Sequence, residues 1–131
     1  MNIQKEQLAN YDIDINIDLI EKISGGNEEF EIFFCTKEQE KYKLIFDIVW
    51  DLRYSIENAS IDRFCEFRKN LPSDIKESSV YIVKDSEYIK YFEQQVSGTR
   101  PIDELVHFIV HDNVDTTLDI LTLRDPVLVK L

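Results

Sequence analysis

Between Tyr42 and Ile56 every even-numbered position is apolar: Tyr42, Leu44, Phe46, Ile48, Trp50, Leu52, Tyr54 and Ile56. Side chains two apart share a face only in an extended chain, so this spacing predicts one long strand with one buried face. The odd positions, from Lys43 and Ile45 to Arg53, Ser55 and Glu57, are mixed and turn polar toward the end, which leaves the second face partly wet. Phe30–Cys35 is a second apolar run, separated from the first by the polar turn Thr36–Glu40. A connection that short suits antiparallel partners, so the two runs predict a hairpin at the centre of a sheet.

Elsewhere the period changes. Tyr11 to Ile15 alternates apolar and acidic residues; Asn16 can then cap a short helix carrying Ile17, Ile20 and Ile23, ended by Gly25-Gly26. A second helix is expected from a Ser60 cap through Ile61, Phe64, Cys65 and Leu71, stopped by Asn70 and Pro72. Val80–Val83 reads as a short strand. Ser86 caps a third helix with Tyr88, Ile89, Phe92 and Val96 on one stripe and Gly98 at its end. Glu104–Val110 and Thr117–Leu123 are rich in β-favouring residues around the turn His111-Asp112-Asn113, a second hairpin. The expected class is α+β: a mainly antiparallel sheet built from two hairpins, with about three helices packed largely on one face. With three Gly, three Pro and no repeat or linker-like stretch, residues 1–131 read as a single globular domain.

Composition narrows the class of partner. The chain has 131 residues, 15 Lys+Arg against 26 Asp+Glu and a formal net charge of -11, yet it is 44% hydrophobic and 11% aromatic. That apolar content places the acidity on a folded surface and not in a disordered tail. Direct binding of nucleic acid is disfavoured, because it depends on Lys and Arg neutralising phosphates. The start of the chain shows no basic region followed by an apolar stretch, so a cytoplasmic location is expected. Apolar runs such as Leu105–Val110 fall far short of the ~20 residues that span a bilayer. Cys35 and Cys65 sit among aromatics and read as reduced core residues.

The charge is concentrated in two windows. Residues 1–31 hold eight acids against Lys5 and Lys22; residues 103–119 hold five acids and no Lys or Arg. The rest of the chain is nearly balanced. Solvated acidic edges would serve solubility, whereas two windows that converge in space would make a negative patch for a basic partner. Asp12, Asp14, Asp18, Asp103, Glu104, Asp112 and Asp115 are therefore the candidate partner-binding residues.

No chemistry competes strongly with a binding role. His107 and His111 share a face on a strand but lie about 13 Å apart along it, too far for one metal ion. There is no Gly-x-Ser-x-Gly, phosphate-cradling Gly-rich loop, His-Glu-x-x-His or dinucleotide fingerprint. Carboxylate pairs such as Asp47 and Asp51 arise by chance among 26 acids. Tyr42, Phe46, Trp50 and Tyr54, on the apolar parity, read as core. No metal, cofactor or catalytic residue is assigned.

The last third carries a family resemblance. A helix Ser86-Glu87-Tyr88-Ile89-Lys90-Tyr91-Phe92, the strands Glu104–Val110 and Leu118-Asp119-Ile120-Leu121, then Asp125-Pro126-Val127, resemble the endings of bacterial immunity proteins that accompany polymorphic toxins, including those of contact-dependent growth inhibition. The likeness covers residues 86–131 and assigns no individual residue a role. It implies a cytoplasmic binder that occludes the active site of a cognate toxin, often a nuclease. Such an inhibitor presents carboxylates where phosphates would lie and needs no chemistry of its own. Other readings are an adaptor or regulatory module using a sheet edge or helix groove, a nucleic-acid mimic, and a small enzyme.

Overall fold

The computed structural model describes residues 7–26, 28–55, 78–96, 104–114 and 116–131. In chain order these form strands β1 (Gln7–Asn10), β2 (Leu19–Gly25), β3 (Glu29–Cys35), β4 (Lys41–Asp47), β5 (Val49–Ser55) and β6 (Val80–Lys84), helix α1 (Glu87–Val96), and strands β7 (Val106–His111), β8 (Thr117–Thr122) and β9 (Val127–Lys130). Among the described residues every strand pairing is antiparallel, in two sheets ordered β1-β6-β7-β8-β5 and β2-β3-β4-β9.

The expected α+β class with about three helices is not what the chain builds. The described residues form two sheets and one helix, a mainly β structure with the core between the sheets. Phe30, Ile32, Phe34, Leu44 and Phe46 of the four-stranded sheet meet Val80, Phe108, Val110, Leu118 and Ile120 of the five-stranded sheet in one buried cluster. Phe108 takes Phe46 and Tyr11 as edge-on partners, with ring centroids 5.7 and 4.9 Å away. Such pairs add about 0.5–1.5 kcal/mol each beyond the area they bury.

Both expected hairpins are present: β3 pairs with β4 from Phe30↔Phe46 to Phe34↔Tyr42, and β7 with β8 from Val106↔Thr122 to His111↔Thr117. The expected strand near residue 80 and the Ser86-capped helix also form, with Ile89 N–H donating to Ser86 Oγ at 3.1 Å.

The helix expected at Ile17–Ile23 is instead extended chain running into β2. A bulge between Ile20 and Lys22 explains the misreading. One extra residue turns the two-residue spacing of a strand face into three, so Ile20 and Ile23 both pack against the core and imitate a helical repeat. Gly25-Gly26 is then the turn of the β2–β3 hairpin, not a helix stop. Gly26 N–H bonds Glu29 O at 3.0 Å, and Gly25, at φ 101°, leaves room for no Cβ: one would lie 2.1 Å from Glu29 O.

The single strand expected from Tyr42 to Ile56 is two strands in different sheets. At Ile48, φ 50°, the chain leaves the four-stranded sheet and enters the edge of the other. Thr122 Oγ1 donates toward Asp47 O and Ile48 O, at 2.9 and 3.0 Å, and fixes this corner. A bulge between Val49 and Asp51 resets the faces, leaving Leu52 and Tyr54 exposed while Trp50 packs on Phe92 of α1. The helix expected over residues 60–71, with Cys65 in it, and the stop at Gly98 lie outside the described residues. Cys35 is a buried free thiol.

Candidate functional site

Segment 11–18 links the two sheets. Tyr11, Ile13, Ile15 and Ile17 turn inward while Asp12, Asp14 and Asn16 face solvent. Its backbone is fastened on several sides: Ser79 N–H donates to Ile15 O, Ile17 N–H to Ser79 Oγ at 2.8 Å, Asp18 N–H to Cys35 O, and Asn113 N–H to Asp18 O. Asp18 thereby touches the end of β3 and the turn after β7, which brings the hairpin turns Thr36–Glu40 and Asp112–Thr116 to one end of the sandwich.

A cleft of about 510 Å³ opens at that end, lined by Asp14, Asn16, Thr36, Lys37, Glu38, Glu40, Tyr42 and Asn113 together with Ile15. Glu40 and Tyr42 also meet Lys130 of β9, whose Nζ is 2.6 Å from Glu40 Oε2 and 5.9 Å from the centre of the Tyr42 ring. The bond to Glu40 raises the Lys130 pKa. Lys41 is likewise held by Glu21 at 2.7 Å, which raises its pKa. Glu38 and Glu40 belong to this end although they lie in neither acidic window; the polar turn between the first two strand runs was the signal for them.

The candidate residues separate once placed. Asp14 is exposed and Asp18 half-buried at this end, and Asp12 is exposed earlier on the same segment. Asp112 is buried and spends its carboxylate on the backbone: Oδ1 accepts from Val114 and Thr116 N–H, and Oδ2 from Ile20 N–H, all at 3.0 Å. It clamps the β7–β8 turn to β2 and offers little to a partner. Glu104 is exposed just before β7, and Asp103 and Asp115 lie outside the described residues. The windows therefore meet at Asp18–Asn113 and Ile20–Asp112, but among the described residues the exposed carboxylates there come from the first window and the Thr36–Glu40 turn.

A second polar constellation lies under α1. Ser86 Oγ is 2.6 Å from His107 Nδ1, and His107 Nε2 is 2.6 Å from Asp119 Oδ1. A neutral imidazole protonated on Nε2 satisfies all three groups: Ser86 O–H donates to Nδ1 and Nε2–H donates to the carboxylate. The order Ser-His-Asp resembles a hydrolytic triad, but the three residues are 5%, 0% and 1% exposed, and Ser86 Oγ also accepts the helix-capping bond from Ile89. Tyr88 stands edge-on to the imidazole at 5.3 Å and donates to Asp51 Oδ2 at 2.8 Å, while the Arg53 guanidinium lies 3.8 Å over the Tyr88 ring. Burial, then Asp51, pushes the Tyr88 pKa far up. This chain of bonds fastens α1 to β5, β7 and β8 and holds Ser86 Oγ in a buried position.

His111, four residues from His107, has other partners: its Nε2 is 2.9 Å from Ser78 O, and its ring stacks on Tyr81. Among the described residues no group of three or more His, Cys, Asp or Glu side chains could hold a metal ion. None of the described helices is long and apolar enough to cross a membrane. No family model matches the chain, and no curated protein or solved structure is significantly similar to it.

Proposed function

We propose that the protein is an immunity-type inhibitor that binds a cognate bacterial toxin with a basic active site, such as a nuclease, and neutralises it by covering that site with the acidic end of the sandwich. The observation that carries this reading is the convergence of segment 11–20 with the 112–116 turn through the Asp18–Asn113 and Ile20–Asp112 contacts. It brings Asp14 and Glu38 into the lining of one cleft, with Asp18 bonded to Asn113 of the same lining. Carboxylates so placed speed encounter with a basic partner and repel acidic ones. Nothing in the reading asks the protein to do chemistry, and the Ser86–His107–Asp119 chain is fully used in holding α1.

The test is protection in a cell. The chain is co-expressed with the toxic domain encoded beside its gene, and growth is compared with that of an Asp14→Lys/Asp18→Lys/Glu38→Lys variant whose fold is checked by circular dichroism. Loss of protection, with an association rate that falls at least tenfold at low salt and much less at high salt, supports the proposal. An unchanged rate at low salt sinks it.

An adaptor role has one observation of its own. Among the described strands β5 pairs only with β8, and its Leu52 and Tyr54 are exposed, as is Tyr91 on α1. Tyrosine and an apolar side chain at an open sheet edge suit β-strand addition by a partner peptide. Several weak partners lost on Tyr54→Ser, with no single tight one, would favour this reading.

A further inference from the structure

Among the described residues the two sheets end in four edge strands, and three of these carry features that discourage pairing with another chain. β1 and β9 are only four residues long, and β2 is bulged between Ile20 and Lys22. β5 differs. It is seven residues long, its register with β8 is unbroken from Asp51 to Ser55, and its Leu52 and Tyr54 are 36% and 57% exposed. It also carries two exposed charges of opposite sign, Asp51 and Arg53, two positions apart and so on one face. Tyr88 of α1 holds both: its O–H donates to Asp51 Oδ2 at 2.8 Å, and the Arg53 guanidinium lies 3.8 Å over its ring. Charged groups fixed before binding lose little conformational freedom on contact.

We infer that β5 is an interface with a second copy of this chain, the two β5 strands pairing antiparallel about a two-fold axis at Leu52. Residues directly opposite in an antiparallel ladder turn their N–H and C=O groups the same way, so a symmetric pair is centred on a residue and not between two. Centred on Leu52, the pairing sets Asp51 of each copy against Arg53 of the other, and the two Leu52 side chains meet on the opposite face. Centred one residue either way, it sets Asp51 against Asp51 or Arg53 against Arg53, and like charges directly opposite destabilise a sheet. The order Asp-Leu-Arg is thus complementary to itself. A strand of another protein fits this edge only if it repeats the same opposed charges, which favours a second copy as the occupant. The interface uses none of the carboxylates of the acidic end, so it stands or falls separately from the immunity reading.

The test is sedimentation equilibrium of the full chain from micromolar to millimolar concentration. It is repeated on Asp51→Arg, on Arg53→Asp, on the double variant Asp51→Arg/Arg53→Asp and on an equimolar mixture of the two single variants, each first shown to be folded by circular dichroism. The wild type should reach the mass of two chains. Each single variant sets like charges opposite one another and should weaken self-association at least tenfold. One makes the net charge less negative and the other more negative, so a loss common to both does not come from overall repulsion. The double variant and the mixture restore opposite charges at both pairs and should recover the dimer. Leu52→Lys, which touches neither contact of Tyr88, sets two lysines at the axis and should dissociate the dimer even where a change at Asp51 or Arg53 unfolds the chain. A wild type that stays monomeric at millimolar concentration overturns the inference and leaves the edge to a strand of another protein. A dimer that Leu52→Lys and the folded single variants leave intact also overturns it, as do folded single variants whose mixture stays monomeric.

Discussion

Replacing Asp112 by alanine tests whether an acid in a charged window is a docking group or a fastener. Three backbone N–H groups, those of Ile20, Val114 and Thr116, lose their acceptor together. Leaving a buried donor unsatisfied costs about 1–3 kcal/mol. The Thr116 bond is buried and the other two are part-buried, where water can replace the carboxylate in part. A total loss of about 2–4 kcal/mol is therefore expected. Asp112→Asn should cost less, about 1–2 kcal/mol, because its amide keeps one acceptor oxygen and sets an NH₂ against one donor side. Exposed Asp14→Ala should fall within ~0.5 kcal/mol of wild type. Urea unfolding followed by Trp50 fluorescence, with the m-value checked for constancy, measures all three. If Asp112→Ala unfolds at the same midpoint as Asp14→Ala, the clamp is wrong and Asp112 returns to the list of partner-binding residues.

Gly25→Ala should destabilise by well over 1 kcal/mol, since φ 101° and the approach of Glu29 O both exclude a Cβ; thermal unfolding reports it. Ser86→Ala removes a helix cap and the partner of a fully buried imidazole, for a loss of about 2–4 kcal/mol. Asp119→Ala leaves the Nε2–H of the same buried ring without its acceptor and should cost about 1–3 kcal/mol; denaturant curves for both variants give the values. Burial, then Asp125, pushes the Tyr11 pKa up to about 12, and Tyr88 is raised by burial and Asp51. The unfolded chain releases these protons near pH 10 while the folded one keeps them. Stability is thus complete below pH 10 and declines as pH rises toward 12, and Tyr11→Phe should flatten its share of that decline in urea curves at stepped pH.

Much of the local order was legible in the sequence because it follows from neighbouring residues. The β3–β4 and β7–β8 hairpins appear as paired apolar runs around short polar turns, and Ser86 announces α1 through its own cap. The Ile20–Ile23 spacing misled because a bulge in a strand and a turn of helix both set apolar residues three apart, and Ile17 before β2 extended the imitation. Eight alternating apolar residues concealed the corner at Ile48, since the period survives on either side while the sheet changes.

The candidate site divides in the same way. Charge, its two windows and the exposure of Asp12 and Asp14 could be read from the chain alone, because an acidic residue alternating with apolar ones points to water. No sequence signal distinguished Asp112 from its acidic neighbours, or joined Ser86, His107 and Asp119, which are up to 33 positions apart. Those relations depend on which strands lie side by side, through bonds between groups distant along the chain. Composition thus determined that the protein is a folded acidic surface with alternating β patterning. Only packing decided which carboxylates remained on that surface, because a carboxylate buried against backbone N–H groups becomes part of the fold.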